Sequence, residues 1–254
     1  MLKSKILGAV ALAAAIASGS AGAVGTGIVF QVNEGVVPGA TPNIVTADSI
    51  DYSYNATINQ SLVGATLDGN DPFTETGSIG ASSFKLGILS PPSQLNGLAP
   101  AGYGIVGTFT ATGLSSLDGT GGIHAIFNSF LLNLYIDTDQ NGTGDILLGS
   151  AVQNAFSEAH IFGGLANGDF DVNMFFTPTA YGSTYFINPV PFTLKMETTG
   201  VTTTIAGASI TGPFTATADG SGNLFVNNVP EPGTLALFGL GLSGLALLRR
   251  RRNM

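Results

Sequence analysis

Short segments in which apolar and polar residues alternate recur along the middle of this chain. Ile50, Tyr52, Tyr54 and Ala56 stand two positions apart, as do Leu132, Leu134 and Ile136. A period of two places these side chains on one face of a β-strand. The pattern predicts ten strands, within residues 27–32, 49–58, 77–89, 103–112, 125–136, 145–152, 169–176, 192–198, 202–210 and 213–218.

Turn-forming residues fill the segments between these strands. Gly, Pro, Asp, Asn and Ser cluster at 68–72, 91–93 and 118–122, which is typical of turns. Only residues 151–165 are compatible with a short helix. Many short strands without alternating helices predict an all-β domain, an antiparallel β-sandwich or a jelly-roll.

The N-terminal segment has the three parts of a secretory signal peptide. Lys3 and Lys5 precede an apolar run at 6–16, and Ala21-Gly22-Ala23 supplies the small residues of a cleavage site. We therefore expect residues 1–23 to form a signal helix that a signal peptidase removes, which leaves residues 24–228 as the exported domain. The alternative is an ordinary N-terminal helix.

The C-terminal segment, residues 229–254, has a comparable organisation. Pro230, Glu231 and Pro232 precede an apolar stretch at 233–248, and a basic cluster follows at Arg249, Arg250, Arg251 and Arg252. Sixteen helical residues reach about 24 Å, against about 30 Å for a hydrocarbon core. The arginines favour the cytoplasmic side. This helix is the expected membrane contact of the protein before processing, and a plain C-terminal anchor is the alternative.

This order of motif, apolar helix and arginines resembles the PEP-CTERM sorting signal of Gram-negative bacteria. The resemblance implies that an exosortase processes the chain near Pro230, Glu231 and Pro232, with release or transfer to the cell surface. The middle resembles flocculation-associated PEP-CTERM proteins in several short stretches, at residues 102–104, 125–127, 135–137, 185–189 and 191–192. This second resemblance implies a role in cell clumping through extracellular polysaccharide, and it implies no catalytic residue.

Charge is unevenly distributed between the middle and the ends. Residues 24–228 contain fifteen acidic residues and two lysines, Lys85 and Lys195, hence a formal charge of −13. Such a surface repels nucleic acid and attracts cations. The chain has no cysteine, which excludes thiol catalysis, thiolate zinc sites and iron–sulfur clusters.

One segment carries the pattern of a calcium-binding loop. Asp137, Asp139, Asn141 and Asp145 supply oxygen ligands at positions 1, 3, 5 and 9, and Gly142 stands at position 6. Position 12, where a calcium loop has a bidentate Glu, is Leu148. The two interpretations are a calcium-binding hairpin and a plain hairpin with an exposed Asn141-Gly142 turn.

No motif of a known catalytic class stands out, and we expect a protein that is not an enzyme. The two histidines, His124 and His160, lie far apart in sequence, and Asp169 and Asp171 are expected on a solvated strand face. The sequence favours a structural matrix or floc protein. The alternative is a lectin-like carbohydrate-binding module, in which Trp would be replaced by Tyr103, Tyr135, Tyr181 and Tyr185. A surface hydrolase is a third hypothesis.

Overall fold

The computed structural model describes residues 27–64, 66–98, 101–189, 192–197 and 203–228. Within these residues thirteen strands accompany one 3₁₀ turn, Glu34–Val36, and one short helix, α1 (Ala180–Tyr185). The strands are β1 (Phe30–Asn33), β2 (Ile44–Ala47), β3 (Ser49–Gln60), β4 (Asp68–Lys85), β5 (Gly104–Leu117), β6 (Ile123–Asp137), β7 (Ile146–Gln153), β8 (Glu158–Ile161), β9 (Asn167–Pro178), β10 (Phe186–Asn188), β11 (Phe192–Glu197), β12 (Thr203–Ala206) and β13 (Phe214–Asn228).

The large sheet closes on itself as an antiparallel barrel. Each of β3, β4, β5, β6, β7 and β9 pairs with the next in that order, and β11 then joins β9 to β13. Closure comes from β13 and β3, whose residues pair from Phe214 with Gln60 to Phe225 with Ser49. This circuit has eight strand positions.

Two of the eight positions are filled by a pair of short strands rather than by one long strand. β7 pairs with the second half of β6, whereas β8 pairs with the first half, and both pair with β9. In the same way β11 and β12 share the position between β9 and β13. The breaks let the chain change register without opening the barrel.

Side chains alternate between a largely apolar interior and a mixed exterior. On β5, Phe109 and Ala111 are buried, while Thr108, Thr110 and Thr112 are exposed. Across β6, β7 and β9, by contrast, the outward row is apolar: Leu131, Val152 and Phe175 are cross-strand neighbours and are between 38% and 54% exposed. The outer surface of the barrel therefore has polar and apolar regions.

A small sheet covers one end of the barrel, in the order β10, β1, β2. Phe30 of β1 meets Phe84 of β4 edge to face, with ring centroids 6.4 Å apart. Phe186 of β10 contacts both Phe176 and Phe192. Aromatic packing of this kind fixes the small sheet on the barrel and excludes water from that end.

The predicted β-sandwich or jelly-roll is wrong, because β13 pairs with β3 and leaves a single closed sheet. Alternation along a strand shows which face is buried, and that is the same in both architectures. The short helix considered for residues 151–165 is also wrong, since this segment contains the end of β7 and all of β8.

The predicted signal helix, residues 1–23, and the predicted apolar helix within 229–254 lie outside the described residues. Within the described part of the chain, no helix has the length and apolar character needed to cross a membrane.

Cross-strand cysteines test the closure of the barrel directly, since the natural chain has none. Thr57 pairs with Thr217 across the β3–β13 seam. We expect Thr57→Cys with Thr217→Cys to form an intramolecular disulfide on mild oxidation, because adjacent strands lie about 5 Å apart. Non-reducing peptide mapping by mass spectrometry measures it.

The matched control is Thr57→Cys with Thr110→Cys. Thr57 and Thr110 both pair with Thr76 from opposite sides, so two strand spacings, about 10 Å, separate them. This pair should stay reduced. A seam pair that oxidises no faster than the control would contradict the closed barrel.

Candidate functional site

A wide groove lies on the outer face of the barrel. It crosses β13, β3, β4, β5 and β6 and has a volume of about 790 Å³. Hydroxyl, amide and carboxylate groups line it together with apolar side chains and two tyrosines; these residues include Ser53, Tyr54, Asn55, Ser78, Ile79, Val106, Thr108, Tyr135 and Asp219. The groove is thus mixed in character. Tyr54 is buried, which leaves Tyr135 as the ring on which an apolar face could pack.

The loop between β6 and β7 forms the rim of this groove. Gly142, Thr143 and Gly144 belong to its lining. A side chain at Gly144 would place its Cβ 2.3 Å from the Cβ of Tyr135, so only glycine lets the loop pack against the tyrosine. The loop therefore holds Tyr135 at the edge of the groove.

The predicted calcium ligands come together in the same loop. Ligand oxygens of Asp137, Asp139 and Asp145 lie within 4.8 Å of one another. Asn141 is turned inward on the loop, because its side-chain Nδ2 donates to Asp139 at 2.8 Å and its Oδ1 accepts from Thr143 N at 2.8 Å. Three of the four predicted residues thus offer carboxylates at one point.

Hydrogen bonds already occupy several of these oxygens. Asp137 accepts from Gly142 N at 2.8 Å, and Asp145 accepts from the hydroxyl and the backbone N–H of Thr138. These bonds to Thr138 lower the pKa of Asp145. Leu148, at position 12, is buried in the core and offers no ligand. Calcium binding at this loop stays a prediction.

A second cluster combines the two histidines with carboxylates on the outside of the barrel. His124 of β6 and His160 of β8 are cross-strand partners, and their rings stack at 4.8 Å between centroids. His124 Nε2 lies 3.0 Å from Glu158 Oε2, and His160 Nδ1 lies 3.0 Å from Asp169 Oδ1. Sequence reasoning noted both histidines but missed Glu158, because the pairing of β8 with β6 has no local signal.

Buried carboxyl groups mark the interior. Glu34 is fully buried at the covered end, where it accepts hydrogen bonds from Asn43, Ser93, Gln94 and Tyr103. Burial, with Tyr185 and Glu34 alongside, raises the pKa of Tyr103. The tyrosine therefore stays a donor to Glu34. This network holds the 3₁₀ turn and the loop that contains Ser93 and Gln94 against the barrel.

The four tyrosines proposed for sugar stacking lie in different surroundings. Tyr103 and Tyr185 are buried and share a 2.7 Å hydrogen bond between their hydroxyls. Tyr181 is half-buried and donates to Val36 O at 2.9 Å. Tyr135 alone of the four lines the outer groove. Asp169 and Asp171 share the outward side of β9, but both are half-buried: Asp169 lies 3.0 Å from His160 Nδ1 and Asp171 forms an ion pair with Lys195 at 2.8 Å.

The predicted sorting residues Pro230, Glu231 and Pro232, and the cluster Arg249, Arg250, Arg251 and Arg252, lie outside the described residues. Comparison with known families confirms the prediction made for them. Fold and tail define an exported protein that contains a closed antiparallel β-barrel. Residues 228–252 match the PEP-CTERM protein-sorting motif. The protein is accordingly an exported protein of Gram-negative bacteria that an exosortase processes.

Other comparisons add little to this assignment. No curated protein matches the chain. Among solved structures, Ail, the attachment invasion locus protein of Yersinia pestis, is 11% identical over 70% of this chain and 99% of that chain, with a TM-score of 0.14. A score this low supports no conclusion about fold or function.

Glu75 gives the stability of the barrel a pH dependence. Its side chain is buried beside Ile58, Phe109 and Phe127, and burial raises its pKa from 4.5 to about 7. Between these values the folded protein keeps a proton that the unfolded chain releases. The free energy of unfolding should therefore fall by about 3 kcal/mol as pH rises from about 4.5 to 7.

Urea unfolding at a series of pH values checks this expectation. Glu75→Gln should remove this part of the slope and be the more stable protein at pH 7. Asp51→Asn, which removes an outward carboxylate, serves as the control for the general charge effect. An unchanged slope in Glu75→Gln would contradict the assignment.

Proposed function

We propose that the barrel is displayed at the cell surface, or released into the extracellular matrix, where it contacts polysaccharide and supports floc or biofilm formation. In this proposal a signal peptidase removes residues 1–23 and an exosortase cuts within residues 229–254. Residues 24–228 then act outside the cell as a structural component and not as an enzyme.

The outer groove is the observation that supports polysaccharide contact. Sugars present hydroxyl groups around a ring and weakly apolar faces, which match hydroxyl and amide donors beside an aromatic ring. The groove places Tyr135 among Ser53, Asn55, Ser78 and Thr108. Because it is open along several strands, an extended chain can lie in it.

Weak binding at each groove is sufficient for this role. Many copies displayed on one cell raise the effective concentration of sites along one polysaccharide chain, so the total attachment greatly exceeds the single-site affinity. Divalent cations can contribute, since the exported domain has a formal charge of −13 and the acidic loop predicted to bind calcium forms the rim of the groove. Cations there would bridge the acidic protein to an anionic polysaccharide.

The alternative is a lectin-like module that uses the same groove for one defined glycan. Saturable binding of a single purified glycan to the exported protein favours this alternative. Graded, weak binding to a whole polysaccharide favours the matrix role.

Deletion of the gene in its host tests the proposal, with cell settling and secreted polysaccharide scored together. We expect settling to fail while polysaccharide is still secreted. The full-length chain should restore settling, and a chain truncated after Val229 should not. Tyr135→Ala in the full-length chain should restore it only partly, and chelation of divalent cations should slow settling of the wild type.

Phe175→Ala is the matched control for Tyr135→Ala. Phe175 is also an outward aromatic residue, 38% exposed on β9, and it lies outside the groove. This variant should settle normally. Normal settling of the deletion strain would contradict the floc role, and equal loss in both variants would contradict the groove as its site.

A further inference from the structure

The His124, His160 and Glu158 side chains meet on the barrel surface, away from the outer groove. One ligand atom from each lies within 4.8 Å of the others. Their side chains are between 29% and 36% exposed, so an ion from solution can reach them. The chain has no other histidine, yet the fold stacks both rings against each other.

Strand register produces this arrangement. His124 is directly opposite His160, and His160 is directly opposite Asp169, so one row crosses β6, β8 and β9. Glu158 stands two residues before His160 and shares its face of β8. Three neighbouring strands of a sheet hold these side chains without help from a flexible loop.

The spacing of His124 and Glu158 fits two ligands of one metal ion. Zinc binds imidazole nitrogen and carboxylate oxygen at about 2.0–2.2 Å, which places two tetrahedral ligands about 3.4 Å apart. His124 Nε2 and Glu158 Oε2 are 3.0 Å apart. A metal ion could take the place of this hydrogen bond after a shift of both side chains. The two imidazole rings, which stack 11° from parallel, must also turn so that both ring planes meet at the ion, because imidazole binds metal through a lone pair in its plane.

Asp169 orients His160, the third ligand. It holds His160 through Nδ1 at 3.0 Å, which leaves Nε2 as the nitrogen that can face a metal ion. Metal-binding histidines characteristically donate their second N–H to a carboxylate in this way. The neighbouring carboxylates Asp171 and Glu197 line the same shallow groove as Glu158, His160 and Asp169, and each is paired with Lys195 at 2.8 Å, which offsets their charge.

We propose that His124, His160 and Glu158 form a binding site for one divalent transition-metal ion of the zinc type, with Asp169 as a positioning residue. Two imidazoles and one carboxylate select such ions over calcium and magnesium, which prefer oxygen ligands. Three protein ligands leave a coordination position open to water or to an external ligand. The ion would link β8 to β6 close to the break between β7 and β8, the two short strands that share one position of the barrel.

Zinc titration of the exported protein tests the proposal, using protein purified from the host with an affinity tag that contains no histidine. Calcium in excess keeps the acidic loop and the general surface charge from binding zinc. We expect one saturable zinc site per chain by calorimetry. In NMR spectra the imidazole signals of both histidines, the only two in the chain, should shift together up to one equivalent.

Substitutions separate this site from unspecific binding. His124→Gln and His160→Gln should each weaken zinc binding at least about tenfold, and Asp169→Asn about tenfold with the stoichiometry kept. Asp51→Asn, an outward carboxylate paired with Lys85, should bind zinc like the wild type. NMR signal dispersion without zinc shows that each variant is folded.

Three results would each overturn the proposed site. These are zinc binding that does not saturate, a shift in the NMR signals of only one histidine, and an unchanged zinc affinity in folded His124→Gln. Unchanged affinity in Asp169→Asn would overturn the positioning role of Asp169. The cell-settling result is independent of this titration, so each proposal can fail alone.

Discussion

The pairing of β13 with β3 is the constraint on which the rest of the structure depends. It joins the last described strand to one near the start of the barrel, from Phe214 opposite Gln60 to Phe225 opposite Ser49. Contacts this distant in sequence cost loop-closure entropy, and burial of both inner faces repays that cost. Closure also leaves the large sheet without an exposed edge for pairing with other chains.

Closure fixes where chemistry can occur on this protein. With the interior filled by side chains such as Tyr54, Phe109 and Phe130, binding groups are left on the outer face and at the loops. The outer groove crosses the β13–β3 seam itself, so it exists only in the closed barrel. The histidine cluster depends on the break between β7 and β8, which places Glu158 and His160 beside His124.

The sequence predicted the elements better than their arrangement. Alternation at Ile50, Tyr52 and Tyr54 correctly indicated a strand with one buried face. The start of β4 was missed, because residues 68–72 have turn composition; there Asp71 is buried and accepts from Asp68 N and Val63 N, which holds an irregular strand end. Long-range register has no local pattern, so neither barrel closure nor the role of Glu158 could be predicted.

Export and fold together give a consistent account. The PEP-CTERM motif brings the chain to an exosortase, and the closed barrel precedes that motif in the sequence. The described barrel ends at Asn228, two residues before Pro230, so a cut at the Pro-Glu-Pro segment would leave every described barrel strand intact. The tail then serves delivery, and in the proposed function the barrel acts outside the cell.

Intact-mass spectrometry of the protein recovered from the cell surface and medium tests this account most directly. The account predicts a chain that begins near Val24 and ends close to Pro230, Glu231 and Pro232, without Arg249, Arg250, Arg251 and Arg252. A full-length C-terminus, found with the protein retained in the inner membrane, would contradict it.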